Sequence, residues 1–192
     1  RTLALDEVRR IVAATATTRT PERDLAIVLA LLDTGCRVNE FTLLTRGDVD
    51  LDSGAVNLRA ETTKTAVQRI VRVGERTRAA LRAYLATLPP LAADAPLWHG
   101  AQRPLTTDGM KRLIQRLGRR AGVSPCGPHK YRRTFGTQAQ RSGMAAADAA
   151  ALLGHSVQML LSYYSTVDDE ALAAAHAQHG PVDHMLQRPM KE

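Results

Sequence analysis

Residues 34–40 read Thr34-Gly35-Cys36-Arg37-Val38-Asn39-Glu40 and interrupt the most apolar stretch of the chain. Ahead of them, Leu25 to Leu32 is nearly continuous apolar sequence, which predicts a helix buried on most sides. Thr20 followed by Pro21 supplies a cap and first-turn pair for that helix, and Gly35 ends it. A second helix is expected to start at Arg37, with Glu40 one turn further on, where its carboxylate can orient the guanidinium. The reading is a core helix whose last residue opens directly onto a charged corner.

Upstream, Leu5, Val8, Ile11 and Val12 recur at helical spacing among Asp6, Glu7, Arg9 and Arg10, the pattern of a surface helix with one buried stripe. Downstream the period changes. Asp52-Ser53-Gly54 is a turn, Ala55 to Arg59 alternates, and Ile70-Val71-Arg72-Val73 is largely β-branched, so a small antiparallel sheet is expected between Val49 and Val73. Helical spacing returns with Leu81, Tyr84, Leu85 and Leu88, halts at Pro89-Pro90, and resumes from Thr107 to Ala121. The Pro89 to Pro96 stretch is short and reads as a loop inside one domain. The predicted class is mainly α with a small antiparallel β-sheet.

The 192 residues suffice for one domain with a hydrophobic core. A composition of 44% hydrophobic and 23% charged residues excludes a disordered tail. No apolar run approaches the roughly 20 residues of a membrane helix, so a soluble globular protein is expected. Cys36 and Cys126 are too few for a disulfide scaffold and suit a reducing compartment, although a bridge between them stays open. A net charge of +7 favours a polyanionic partner such as nucleic acid.

Four clusters carry chemistry. Arg37 and Glu40 form the first. Lys64, in Thr62-Thr63-Lys64-Thr65 between the two expected strands, sits at a hairpin tip from which it could reach a phosphate or a leaving oxygen. In Pro128-His129-Lys130-Tyr131-Arg132, His129 and Arg132 share a helical face. Leu153-Gly154-His155-Ser156 places His155 in a tight corner nine residues before Tyr164. A fifth feature is the polar face of the 107–121 helix, where Lys111, Arg112, Gln115, Arg116, Arg119 and Arg120 gather groups suited to phosphates and base edges.

In order and spacing these clusters resemble the tyrosine recombinase (phage integrase) family along almost the whole chain. Its Thr-Gly-x-Arg-x-x-Glu signature is met by Thr34, Gly35, Arg37 and Glu40, its hairpin lysine by Lys64, and its His-x-x-Arg box by His129 and Arg132. Its Leu-Gly-His box with a nucleophile nine residues later is met by Leu153, Gly154, His155 and Tyr164. Cys36 stands where Leu is common, Phe41 follows Glu40 where Leu is common, and Arg133 stands where His is common; none of these departures removes a catalytic group.

The resemblance implies the catalytic domain of a site-specific DNA recombinase spanning residues 1–192, lacking the N-terminal core-binding domain of other members. Residue 1 is Arg, which fits a piece of a longer chain. Tyr164 would attack the phosphodiester and form a 3′-phosphotyrosine, and strands would exchange through a Holliday junction. Arg37, Arg132 and His155 would stabilise charge on the phosphate, Lys64 would protonate the leaving 5′-oxygen, His129 would manage the tyrosine proton, and Glu40 would support Arg37. The helix bearing Lys111, Arg112, Gln115, Arg116 and Arg119 would face DNA. A covalent intermediate conserves the bond energy, so neither a metal nor ATP is expected as cofactor. Expected partners are double-stranded DNA sites, three further copies in a homotetramer on synapsed DNA, and accessory DNA-bending proteins. The free chain would be a monomer or weak oligomer.

Other readings compete. A type IB topoisomerase shares the chemistry but reseals the same strand, and a DNA-binding protein could keep the fold without catalysis. A metal-dependent tyrosine nuclease would use His-x-His pairs, which are lacking. His176, His179 and His184 in the tail invite a zinc reading, but a fourth ligand is missing and an Ala-rich terminal helix explains the region.

Overall fold

A computed structural model describes residues 2–63, 67–100, 102–154 and 156–158. Its helices are α1 (Leu5–Thr15), α2 (Pro21–Thr34), α3 (Val38–Thr42), α4 (Glu75–Ala86), α5 (Thr107–Arg120), α6 (Pro128–Arg141) and α7 (Ala146–Leu153), with strands β1 (Ala55–Leu58) and β2 (Arg69–Arg72). The expected mainly α fold with a small antiparallel sheet is the one observed. No helix among the described residues is long and apolar enough to cross a membrane.

α2 runs through the core, with Ala26, Ile27, Val28 and Leu31 buried. Its N-terminus differs from expectation: the Thr20 side chain caps no backbone N–H, and its hydroxyl donates instead to Asp24 Oδ1 at 3.3 Å. Its C-terminus is as expected. Gly35 adopts φ +56°, and a Cβ there would lie 2.7 Å from the Phe135 ring, so glycine is required both by conformation and by the approach of α6.

The strands pair antiparallel, Ala55 opposite Arg72 and Leu58 opposite Arg69. Val56, Leu58 and Val71 face the core. A two-stranded ribbon is marginal alone, and here β2 packs against α2 and α7. The turn before β1 is built by Asp50, whose carboxylate accepts the N–H groups of Asp52 and Ser53 and the Ser53 hydroxyl. The link between the strands is longer than a tight hairpin, since a 3₁₀ turn occupies Ala60–Thr62. Thr63 Oγ1 then accepts from Val67 N at 3.1 Å and donates to Val67 O at 3.2 Å.

The long connection between α4 and α5 is sewn into the same body. Trp98 stacks on Phe41 and Tyr84, with ring centroids at 4.7 and 5.7 Å, and its indole N–H donates to Phe41 O at 2.8 Å. Tyr84 Oη donates to Leu97 O and accepts from His99 N. α7 belongs to a small separate cluster formed by Ala139, Ala149, Ala150 and Leu153 with Phe135 and Met144. Cys36 and Cys126 are buried and free, so the disulfide left open by the sequence is absent.

Because Trp98 fills the space between two rings and satisfies its own N–H, Trp98→Ala is expected to lower unfolding stability by about 3–5 kcal/mol. Urea titration followed by circular dichroism measures this.

Candidate active site

The site is built around one carboxylate. Glu40, 1% exposed, lies in α3 and accepts from the Arg37 backbone N–H at 3.0 Å, from Arg37 Nη1 at 3.0 Å and from Arg69 Nη2 at 2.6 Å, with Arg69 Nη1 at 3.4 Å. Its role toward Arg37 is therefore double, since it closes the first turn of α3 and grips the guanidinium. Burial pushes its carboxyl up, but hydrogen bonds from Arg69, and then those from Arg37, hold it below the usual glutamate value.

Arg69 was not singled out by the sequence reading. It occupies the first position of β2, with its side chain 10% exposed. A signal did exist: Arg69 shares strand parity with the buried Val71, and an inward-facing arginine demands a carboxylate. Which carboxylate, 29 positions away in sequence, follows only from the fold.

Three arginines then capture three consecutive carbonyls at the end of α7. Arg69 Nε donates to Leu152 O at 2.9 Å, Arg132 Nη2 to Leu153 O at 2.6 Å, and Arg37 Nη2 to Gly154 O at 3.1 Å. These are the carbonyls a helix end leaves without intrahelical partners. Gly154 turns there with φ +63°, and a Cβ would lie 3.1 Å from Arg69 Nη1. Arg132 Nη1 also donates to Gly35 O at 2.8 Å, which ties α6 to the end of α2. The two left-handed glycines thus present carbonyls to the two motif arginines.

Around this framework a cleft of about 590 Å³ is lined by Cys36, Arg37, Glu40, Thr63, Lys111, His129 and Arg132, among others. His129, at the start of α6, is exposed, while Arg132 one turn later is buried. Burial, then the charge of Arg37, lowers the Arg132 guanidinium to about 10, with Glu40 acting in the opposite sense. It remains protonated at neutral pH. Three guanidiniums against one carboxylate leave an excess of fixed positive charge, the electrostatics of a site for an oxyanion. Cys36, whose Sγ lies 3.2 Å from Thr34 Oγ1, is raised to about 11 by burial and stays a neutral thiol.

The structure thus brings Arg37, Glu40, His129 and Arg132 together and adds Lys111, whose Nζ also pairs with Asp108 at 3.1 Å. Lys64, His155 and Tyr164, with the tail histidines 176, 179 and 184, lie outside the described residues. The polar face of α5 is exposed along its length, and its residues border different hollows. Arg116, Arg119 and Arg120 line a different groove, and Arg112 and Gln115 are exposed but line neither cleft nor groove.

Fixed guanidiniums locked to backbone carbonyls give the cleft the electrostatics of an oxyanion site. Across residues 1–171 the chain matches the Phage integrase family, and it belongs to that family, the tyrosine recombinases. It is 31% identical over 186 residues to tyrosine recombinase XerA of Thermococcus kodakarensis, covering 96% of this chain and 64% of the relative. It is 29% identical over 163 residues to tyrosine recombinase XerC of Staphylococcus carnosus, covering 83% and 54%. The crystal structure of XerA recombinase superposes with a TM-score of 0.76 at 32% identity, over 94% of this chain and 65% of that one. The Tn1549 transposon integrase in complex with a circular intermediate DNA shares the fold, with a TM-score of 0.79 at 19% identity over 93% and 65%. The chain thus spans roughly half to two-thirds of the curated relatives it matches.

Removing the Glu40 charge leaves the buried end of the cluster, with the half-buried Arg37 and Arg69, without its counter-charge, so Glu40→Gln is expected to cost about 3 kcal/mol. The ionised form is favoured more in the folded chain than in the unfolded one. Its contribution is therefore complete above the ordinary glutamate range and fades as pH falls below it. Denaturant midpoints from pH 7 to pH 3 should fall more steeply for the wild type than for Glu40→Gln.

Proposed function

We propose that this chain is the catalytic domain of a site-specific DNA recombinase, which cleaves and rejoins strands through a 3′-phosphotyrosine on Tyr164. The observation that carries the reading is the convergence of Arg37 and Arg132, from α2–α3 and α6, on one cleft that also holds His129. A phosphodiester under attack gains negative charge on its nonbridging oxygens. Guanidiniums already held by Glu40, Gly35 and the end of α7 need no rearrangement to meet it. The planar forks suit phosphate oxygens.

His129 stands at the open side of the cleft, where it can exchange a proton with the nucleophile. The family motifs add Lys64 as acid for the leaving 5′-oxygen, His155 as a further phosphate donor and Tyr164 as nucleophile. Exchange then proceeds through a Holliday junction in a tetramer on synapsed DNA, with neither metal nor ATP. Lys111, at the cleft wall, contacts the backbone beside the scissile phosphate.

A pool of nicked suicide duplexes incubated with the chain in EDTA is expected to give a covalent adduct that Tyr164→Phe abolishes. An adduct persisting in Tyr164→Phe would move the nucleophile elsewhere. Loss of the adduct in EDTA, restored by Mg²⁺, would exclude the metal-free reading. Joining of two labelled duplexes distinguishes strand exchange from simple relaxation and resealing.

Arg132→Lys cannot span Gly35 O and Leu153 O while facing a phosphate, so adduct formation should fall by roughly 100- to 1,000-fold. Single-turnover rates on the same substrate measure it.

A further inference from the structure

Arg69 does not line the cleft, yet its side-chain bonds end on groups that shape it. Its Nη2 donates to Glu40 Oε2 at 2.6 Å and its Nε to Leu152 O at 2.9 Å, so one planar group spans α3 and the last turn of α7. Glu40 in turn holds Arg37 through Oε1 at 3.0 Å, and Leu152 stands three positions before His155 in sequence. Two other arginines lie against carboxylates without this reach. Arg23 pairs with Asp24 at 2.7 Å and Arg59 with Asp48 at 3.2 Å, and among the described residues neither carboxylate bonds to a residue of the cleft wall. Such private pairs serve the fold alone. Arg69 differs because it shares its carboxylate with a motif arginine.

Removing the Arg69 guanidinium changes the surroundings of Glu40 in a defined way. The charged and titratable groups facing this carboxylate are Arg37 at the start of α3, Arg69 of β2, Arg132 of α6 and the thiol of Cys36. Lys111 of α5 and His129 of α6 line the same cleft, and α7 offers the cluster only backbone carbonyls. Burial favours the neutral acid, and the hydrogen bond from Arg69 is the strongest effect opposing it. Once Glu40 is protonated it is a weaker acceptor, and Arg37 is left with the bond to Gly154 O as its firmer anchor. The same loss frees Leu152 O at the end of α7.

We propose that Arg69 is a positioning residue for strand cleavage, which acts through Glu40 on Arg37 and through Leu152 O on the end of α7 without itself touching the phosphate. The proposal rests on the DNA-processing reading above and deepens it by adding a residue that reading does not use. Alignment is where such a residue acts: displacing a reacting group by about 1 Å can cost about 100-fold in rate. Binding of the duplex, which is made by other groups, is left in place.

The test is single-turnover adduct formation on the pool of nicked suicide duplexes from pH 5 to pH 8, with affinity for the same duplexes measured alongside. Arg69→Met is expected to form adduct about 10- to 100-fold more slowly at pH 7.5, while its duplex affinity stays within about twofold of the wild type. Its rate relative to the wild type should fall further towards pH 5, because Glu40 then takes up a proton more readily; the ratio cancels titrations common to both chains. Arg69→Lys keeps the counter-charge but offers one nitrogen to acceptors on two elements, so its ratio should be flat with pH and its rate still below the wild type. Arg72→Met, on the outward side of the same strand, should match the wild type. An Arg69→Met rate equal to the wild type, a reduced rate whose ratio does not change with pH, or an affinity loss as large as the rate loss would overturn the proposal alone. Should circular dichroism show that Arg69→Met does not fold, Arg69→Lys decides: a wild-type rate overturns the proposal, and a reduced rate at unchanged affinity upholds it. A wild type that forms no Tyr164-dependent adduct would overturn the DNA-processing reading and this proposal with it.

Discussion

The buried Glu40 carboxylate is the constraint on which the rest of the site depends. Without it, Arg37 and Arg69 would face each other and Arg132 across a low-dielectric corner, where like charges repel strongly. With it, Arg37 and Arg69 become rigid donors, and their remaining N–H groups reach the end of α7. One side chain from a five-residue helix thereby joins α3, β2 and α7. The price is a desolvated charge cluster that remains net positive.

This arrangement also explains the uneven architecture. The main core, from α1 to the start of α6, is conventional, with α2 as its axis and Trp98 locking the longest connection against α3 and α4. α7 contributes little to that core and packs on α6 through small side chains. Guanidinium-to-carbonyl bonds from Arg37, Arg69 and Arg132 tie its end to the body. The same bonds that fix the arginines at the cleft therefore serve as tertiary structure for α7.

Much of this was legible in the chain. The apolar run before Gly35, the change of period after Val49 and the amphipathic helix from Thr107 each report local packing, and each element lies within a few residues of its expected place. Arg37, Glu40, His129 and Arg132 were legible because their spacing within short motifs reflects one turn of helix. Arg69 was not, because its partner is distant in sequence and its strand reads as ordinary alternation. Helical periodicity on α5 shows which residues share a side of the helix but not what each level along the axis abuts, and both α3 and α1 pack against it. The cap at Thr20 failed because its backbone, at ψ 66°, departs from the extended conformation that aims a capping oxygen at the first turn, and its hydroxyl turns toward Asp24.

The three arginines hold α7 by its main chain, and main-chain oxygens are present whatever the side chains. The helix can therefore drift in composition, even toward the alanine-rich sequence seen here, without loosening its hold on the site. What cannot drift is its length. Adding or deleting one residue would rotate the terminal oxygens by about 100° and misalign all three partners together. In this part of the fold, evolutionary freedom lies in substitution, and the constraint lies in counting.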